Sequence, residues 1–173
     1  MKSPTIHLIL LVLGLLFTQS PGYADNSQEY EANLRGKNEV PPVDTRMKGR
    51  IEVKFNRDDT LARFQLKVEK VGTGRIIQAH LHCGPKEVNG PVVVFLLTPL
   101  PNAASYNDKT EIRFALTDDN VVALAEGHGS TCPETQITNL AELKAAIEAG
   151  NIYANVHSVA FPGGEIRGQL RKD

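Results

Sequence analysis

Hydrophobic and polar residues alternate with a period of two along most of this chain, so the first elements it predicts are strands. Tyr30, Ala32 and Leu34 alternate with polar neighbours, as do Met47, Gly49, Ile51, Val53 and Phe55. After the turn signal Asn56-Arg57-Asp58-Asp59 the same rhythm returns in Phe64, Leu66 and Val68, then from Ile76 to His82, and again in Ile112, Phe114 and Leu116. Such alternation is the mark of strands with one buried face. Val92 to Leu97 is an unbroken apolar run, which predicts a strand covered on both faces. One segment changes period. Asn139 followed by Glu142 resembles a helix cap, Leu140, Leu143, Ala146 and Ile147 form a 3.6-residue stripe, and Gly150 is a natural stop, so a short helix is predicted near 140–149. Two more strands close the chain. Ile152, Ala154 and Val156 share one face and Tyr153, Asn155 and His157 the other; after Phe161-Pro162-Gly163-Gly164 the chain returns through Ile166, Gly168 and Leu170. Short strands with Gly, Pro and Asp between them indicate an all-β sandwich or barrel.

The first residues do not belong to that rhythm. Lys2 precedes the apolar run Ile6 to Phe17, and Gly22-Tyr23-Ala24 offers small residues where a signal peptidase cuts. The run is too short to cross roughly 30 Å of hydrocarbon comfortably. Residues 1–24 therefore read as a signal peptide cut after Ala24, 25–29 as a polar leader and 30–171 as the domain; an uncleaved anchor is the alternative. No membrane span is expected after cleavage, and the destination is secretion, the periplasm or the cell envelope.

Export changes how the two cysteines read. In an oxidising compartment Cys83 and Cys132 are expected to pair across a loop of about 50 residues, which contributes on the order of 4 kcal/mol in the chain-entropy account. The alternative is Cys83 as a thiolate ligand beside His82. A strand that continues past His82 turns Cys83 to the opposite face, which favours the disulfide. Charge excludes more than it suggests: with 19 Lys and Arg against 20 Asp and Glu there is no basic field for a nucleic-acid backbone.

Four blocks of sequence carry a family likeness: Asn38 to Val43; Ala79 to Gly84 with Gly90 to Val94 following; Gly150 to His157; and Phe161 to Leu170. In this order they resemble the signature blocks of the chordin-type (CHRD) domain, across nearly the whole mature chain. The resemblance implies an immunoglobulin-like, Greek-key β-sandwich distantly similar to Cu/Zn superoxide dismutase. It implies little about activity. In animals the domain occurs as tandem copies in chordin, a secreted antagonist of bone morphogenetic proteins, whereas single-copy exported bacterial forms have no established activity, and fold alone assigns no chemistry.

The residues with chemistry to offer are His80, His82 and His157. Positions i and i+2 of a strand point to one face, so His80 and His82 can aim at a single ion, with His157 a candidate third ligand and His128 a fourth. Imidazoles without carboxylates suit copper or zinc rather than calcium or magnesium. An equal reading is structural: the histidines hydrogen-bond to backbone and to Asn155, Glu165 and Arg167, with no ion. Glu165 and Arg167 could themselves form a surface ion pair, or Glu165 could orient a ligand histidine through its second nitrogen. Pro41 and Pro42 make Asn38 to Val43 a stiff, extended loop. No Gly-x-Ser-x-Gly elbow and no complete catalytic set is legible. The function expected is thus an exported binding or structural module, more binder than enzyme, for an unidentified protein or envelope partner. A copper or zinc protein with dismutase-like redox chemistry is the alternative.

Overall fold

The computed structural model describes residues 27–69, 75–97, 109–123, 131–133 and 136–173. Residues 1–24, expected to be a signal peptide, and His128 lie outside them. Strands β1 (Gln28–Arg35), β2 (Lys48–Phe55), β3 (Ala62–Glu69), β4 (Ile76–Cys83), β5 (Val92–Leu97), β6 (Lys109–Leu116), β7 (Ile152–Ser158), β8 (Ile166–Gln169) and β9 (Arg171–Lys172) are accompanied by one described α-helix, α1 (Leu140–Glu148), and two single-turn 3-10 helices. All pairings are antiparallel, in the order β5-β4-β7-β8-β1-β2-β3-β6, with β9 alongside β1. The sheet curls into a β-sandwich-like shell. Beyond β6, Val121 pairs with Val94, and Val122 N–H donates to the Val93 carbonyl at 2.8 Å, so the far end of the path meets β5.

The period-two pattern reads directly into the core. Tyr30, Ala32 and Leu34 of β1, Ile51, Val53 and Phe55 of β2, and Phe64, Leu66 and Val68 of β3 are all buried in a single cluster with Ala79, Leu81, Ala154, Val156 and Ile166. Each large apolar side chain withdrawn from water in this way contributes roughly 1.5–3 kcal/mol. The predicted helix is present, and its cap is as expected, with Asn139 Oδ1 accepting from Glu142 N–H at 2.9 Å. Its apolar stripe, Leu140, Leu143, Ala146 and Ile147, joins the same core. Tyr30 Oη donates to Glu148 at 2.6 Å and ties the helix end to β1.

Two strands depart from the burial that their composition suggests. The apolar run of β5 is covered on both faces only in part: the neighbours Val93 and Val94 are both buried, whereas Phe95 is 45% exposed. In contrast every residue of β7 is buried, including Tyr153, Asn155 and His157. Loops lie over that outer face. Asn38 Nδ2 donates to the Arg167 carbonyl, Asn89 Nδ2 to the Val40 carbonyl and Gln169 Nε2 to the Gly84 carbonyl, which draws the 36–47 and 84–91 segments across β7 and β8. The molecule therefore has a second, polar interior on the side of the sheet away from the apolar core.

Candidate metal centre

Strand register assembles this polar interior in rows. Across β4, β7 and β8, His80 stands opposite Asn155 and Asn155 opposite Arg167, while His82 stands opposite Tyr153 and Tyr153 opposite Gln169; Gln78 stands opposite His157. Directly opposed residues and their diagonal neighbours on one face lie within side-chain reach. His80, His82 and His157 thereby converge, each offering a nitrogen within 4.8 Å of the other two. His80 and His157 are 4% and 7% exposed, and His82 is half-buried.

Hydrogen bonds fix the tautomers. His82 Nδ1 lies 2.9 Å from the Gly90 carbonyl and His157 Nδ1 2.9 Å from the Pro162 carbonyl. A carbonyl only accepts, so both Nδ1 atoms carry the hydrogen and both Nε2 atoms of the neutral rings carry a lone pair. His80 Nδ1 is 3.2 Å from His157 Nε2 and donates to it, which leaves the lone pair on His80 Nε2. His80 Nε2 and His82 Nε2 are buried with no hydrogen-bond partner. Asn155 Oδ1 lies 3.1 Å from the same His157 Nε2, and because both atoms bear lone pairs in this tautomer no hydrogen bond joins them.

Rings and glycines hold this arrangement. His82 lies flat on Tyr153, with centroids 4.9 Å apart and planes 6° from parallel, and Phe95 meets His80 edge-on at 5.0 Å. Gly90 presents its carbonyl to His82 from a position where a Cβ would come within 1.6 Å of the Cys83 carbonyl, so no other residue fits. Gly164, at φ +126°, packs against Glu39 and Asn155. Burial pushes His80 and His82 down to about 4, helped for His80 by the neighbouring His157; burial also lowers His157, against the opposing pull of the Pro162 carbonyl. All three rings are neutral at pH 7, the form that can ligate a metal.

The remaining candidates fall elsewhere. Cys83 and Cys132 are at disulfide distance, with Cα atoms 5.1 Å apart, so the thiolate alternative for Cys83 falls. Glu165 and Arg167 are not a surface ion pair: both are buried, and no ion pair joins them among the described residues. Glu165 accepts from Thr45 Oγ1 at 2.5 Å. The Arg167 guanidinium donates to Asn89 Oδ1, to the Pro85 carbonyl and to the Val88 carbonyl, and it lies 3.4 Å over the Tyr153 ring. Main-chain carbonyls orient His82 and His157 through their Nδ1 atoms, while His80 Nδ1 is met by His157. Three contributors were not singled out from the sequence. Tyr153 shares a face with Asn155 and His157, a signal that period two does supply. Phe95 was hidden inside an apolar run, and Glu39 inside a loop whose prolines drew the attention. Glu39 Oε1 is buried without a partner, and burial raises its carboxyl to about 7 against the lowering effect of Arg167.

The CHRD domain model matches residues 30–170. No curated protein and no solved structure matches the chain. Membership of that family suggests a binding or structural module and names no reaction. No described helix is long and apolar enough to cross a membrane. With a β-sandwich-like shell, the ordered sequence blocks and a family match across nearly all of the described fold, the chain belongs to the CHRD domain family.

Proposed function

We propose that this protein is an exported module that binds copper or zinc through His80, His82 and His157. One observation carries the reading: two imidazole nitrogens, His80 Nε2 and His82 Nε2, are buried without any partner beside a third histidine. Leaving a buried polar atom unpaired costs about 1–3 kcal/mol, and such atoms concentrate where a ligand completes the set. Metal–nitrogen bonds are about 2.0–2.1 Å, so completing a centre requires ring rotations that draw the nitrogens together and free His157 Nε2, whose lone pair here accepts the His80 Nδ1 hydrogen. Export is part of the same proposal, with residues 1–24 as the signal peptide and 30–171 as the mature domain; a cysteine pair at bonding distance fits an oxidising compartment. We assign the site no turnover.

The test is metal content and calorimetry on the mature chain made without a His-tag. About one copper or zinc per chain is expected, and His80→Ala/His82→Ala is expected to weaken binding by at least a hundredfold. Equal, weak binding by the two proteins overturns the reading.

A further inference from the structure

The charge around the three histidines favours one oxidation state. This inference rests on the metal-site reading above. The donors are three neutral imidazoles. Where a ligand histidine gives its second nitrogen to a carboxylate, the ring becomes more basic and the site gains negative charge. Here the partners are the Gly90 carbonyl for His82, the Pro162 carbonyl for His157 and the neutral His157 ring for His80, none of which carries charge. No thiolate is on hand, since Cys83 is paired with Cys132. Of the nearby buried carboxyls, Glu165 bonds Thr45, and Glu39 lies beside Gly164, where its electrostatic interactions are with Arg167 and Tyr153 rather than with the three histidines. The fixed charge that does adjoin the site is positive: the Arg167 guanidinium lies 3.4 Å over Tyr153, and Tyr153 stacks on His82.

A dication in such a place gains little compensation. The cost of holding an ion out of water climbs steeply with its charge, and a neighbouring cation adds to it. Coordination number points the same way where water is kept out. Zinc and copper(II) complete a set of three histidines with water, which the rings of Phe95 and Tyr153 and the slight exposure of His80 and His157 disfavour here, although His82 is half-buried. Copper(I) carries a single charge and is content with three donors in a plane. We propose that the His80, His82 and His157 cluster is a copper(I) site, which selects the cuprous ion over copper(II) and zinc through charge and coordination number rather than through soft thiolate ligands. A preference of this kind raises the copper reduction potential, by 59 mV for each tenfold gain in copper(I) over copper(II) affinity.

Three titrations of the metal-free mature chain test this. Copper(I) is added under anaerobic reducing conditions against a chromophoric cuprous chelator, and copper(II) and zinc are added against competing ligands of known affinity. Copper(I) is expected to bind at least a hundredfold more tightly than either dication. Asn155→Asp places a carboxylate beside His157 in nearly the same volume and is expected to narrow that gap at least tenfold by strengthening the dications. Arg167→Met is expected to act in the same direction; because Arg167 also ties down the 85–89 turn, circular dichroism must first show it folded, and Asn155→Asp carries the test if it is not. If copper(II) or zinc binds the wild type as tightly as copper(I), the inference is overturned while the metal site stands. If none of the three binds, both fall.

Discussion

His82 rests flat against Tyr153, its ring 4.9 Å from the tyrosine ring and 6° from parallel, and the Tyr153 hydroxyl accepts from Gly90 N–H at 3.2 Å. Since the Gly90 carbonyl in turn receives the His82 Nδ1 hydrogen, one tyrosine holds both the ring of the histidine and the residue that sets its tautomer. A backbone strap and an aromatic stack thus act on the same imidazole.

Tyr153→Leu should therefore weaken metal binding by about tenfold or more while destabilising the fold by roughly 1–3 kcal/mol, the scale of a lost ring contact and a lost hydrogen bond. Tyr153→Phe keeps the stack and should retain most of the affinity. Calorimetric titration of the two variants separates these outcomes; equal affinity losses would argue that the hydroxyl alone matters.

Acidification should unfold the metal-free protein. Burial holds the His80 and His82 rings down at about 4, with His157 lowered as well, against about 6.5 in the unfolded chain. Between those values the unfolded state binds more protons, so the stability from neutral rings is present above about pH 6.5 and is lost as pH falls toward 4. Glu39 acts in reverse. Its carboxyl is raised to about 7, so its contribution is present below about pH 4.5 and lost as pH rises through 7. Three rings outweigh one carboxyl, and the urea midpoint of chelator-treated protein should climb from pH 4.5 to 6.5, more steeply in Glu39→Gln. A midpoint that stays level or declines over this range would contradict the burial of the rings.

Removing the cysteine pair with Cys83→Ala/Cys132→Ala should lower stability by about 2–4 kcal/mol, given a separation of 49 residues along the chain. Cys83 directly follows His82 and is crossed by Gly90, so metal affinity should fall as well. Denaturant melts of wild type with and without reductant give an independent check, and unchanged midpoints would show that the bond adds nothing.

Gly164→Ala should cost about 1–3 kcal/mol, because φ is +126° and a Cβ would sit 2.8 Å from Glu39 Oε1. Gly163→Ala, where no atom lies within 4 Å of a Cβ, is the matched control and should be nearly neutral. Thermal melts that fail to distinguish the two variants would show that the packing of Gly164 against Glu39 and Asn155 adds nothing.

Much of this architecture was legible in advance for a local reason. A residue's face on a strand depends on its neighbours two positions away, so Ile51, Val53 and Phe55, or Leu66 and Val68, declare their burial without reference to the rest of the chain. The helix declares itself through Asn139 and its stripe in the same manner. The His80 and His82 pair was visible as well, being only two residues apart. The burial of β7 was not, because the loops that cover Tyr153, Asn155 and His157 come from 36–47, 84–91 and 161–164, and no local period reports what arrives from so far away.

The sequence by itself determined that strands, one helix and a histidine pair would form, and which faces of most strands would turn inward, because backbone period and side-chain polarity are short-range properties. Only the tertiary structure decided that His157, 77 residues beyond His80, would stand 3.2 Å from it, that Phe95 would face outward from an apolar run, and that Glu165 and Arg167 would be buried apart. Those outcomes depend on strand order and register across the sheet, where one residue of slip would turn every side chain to the other face.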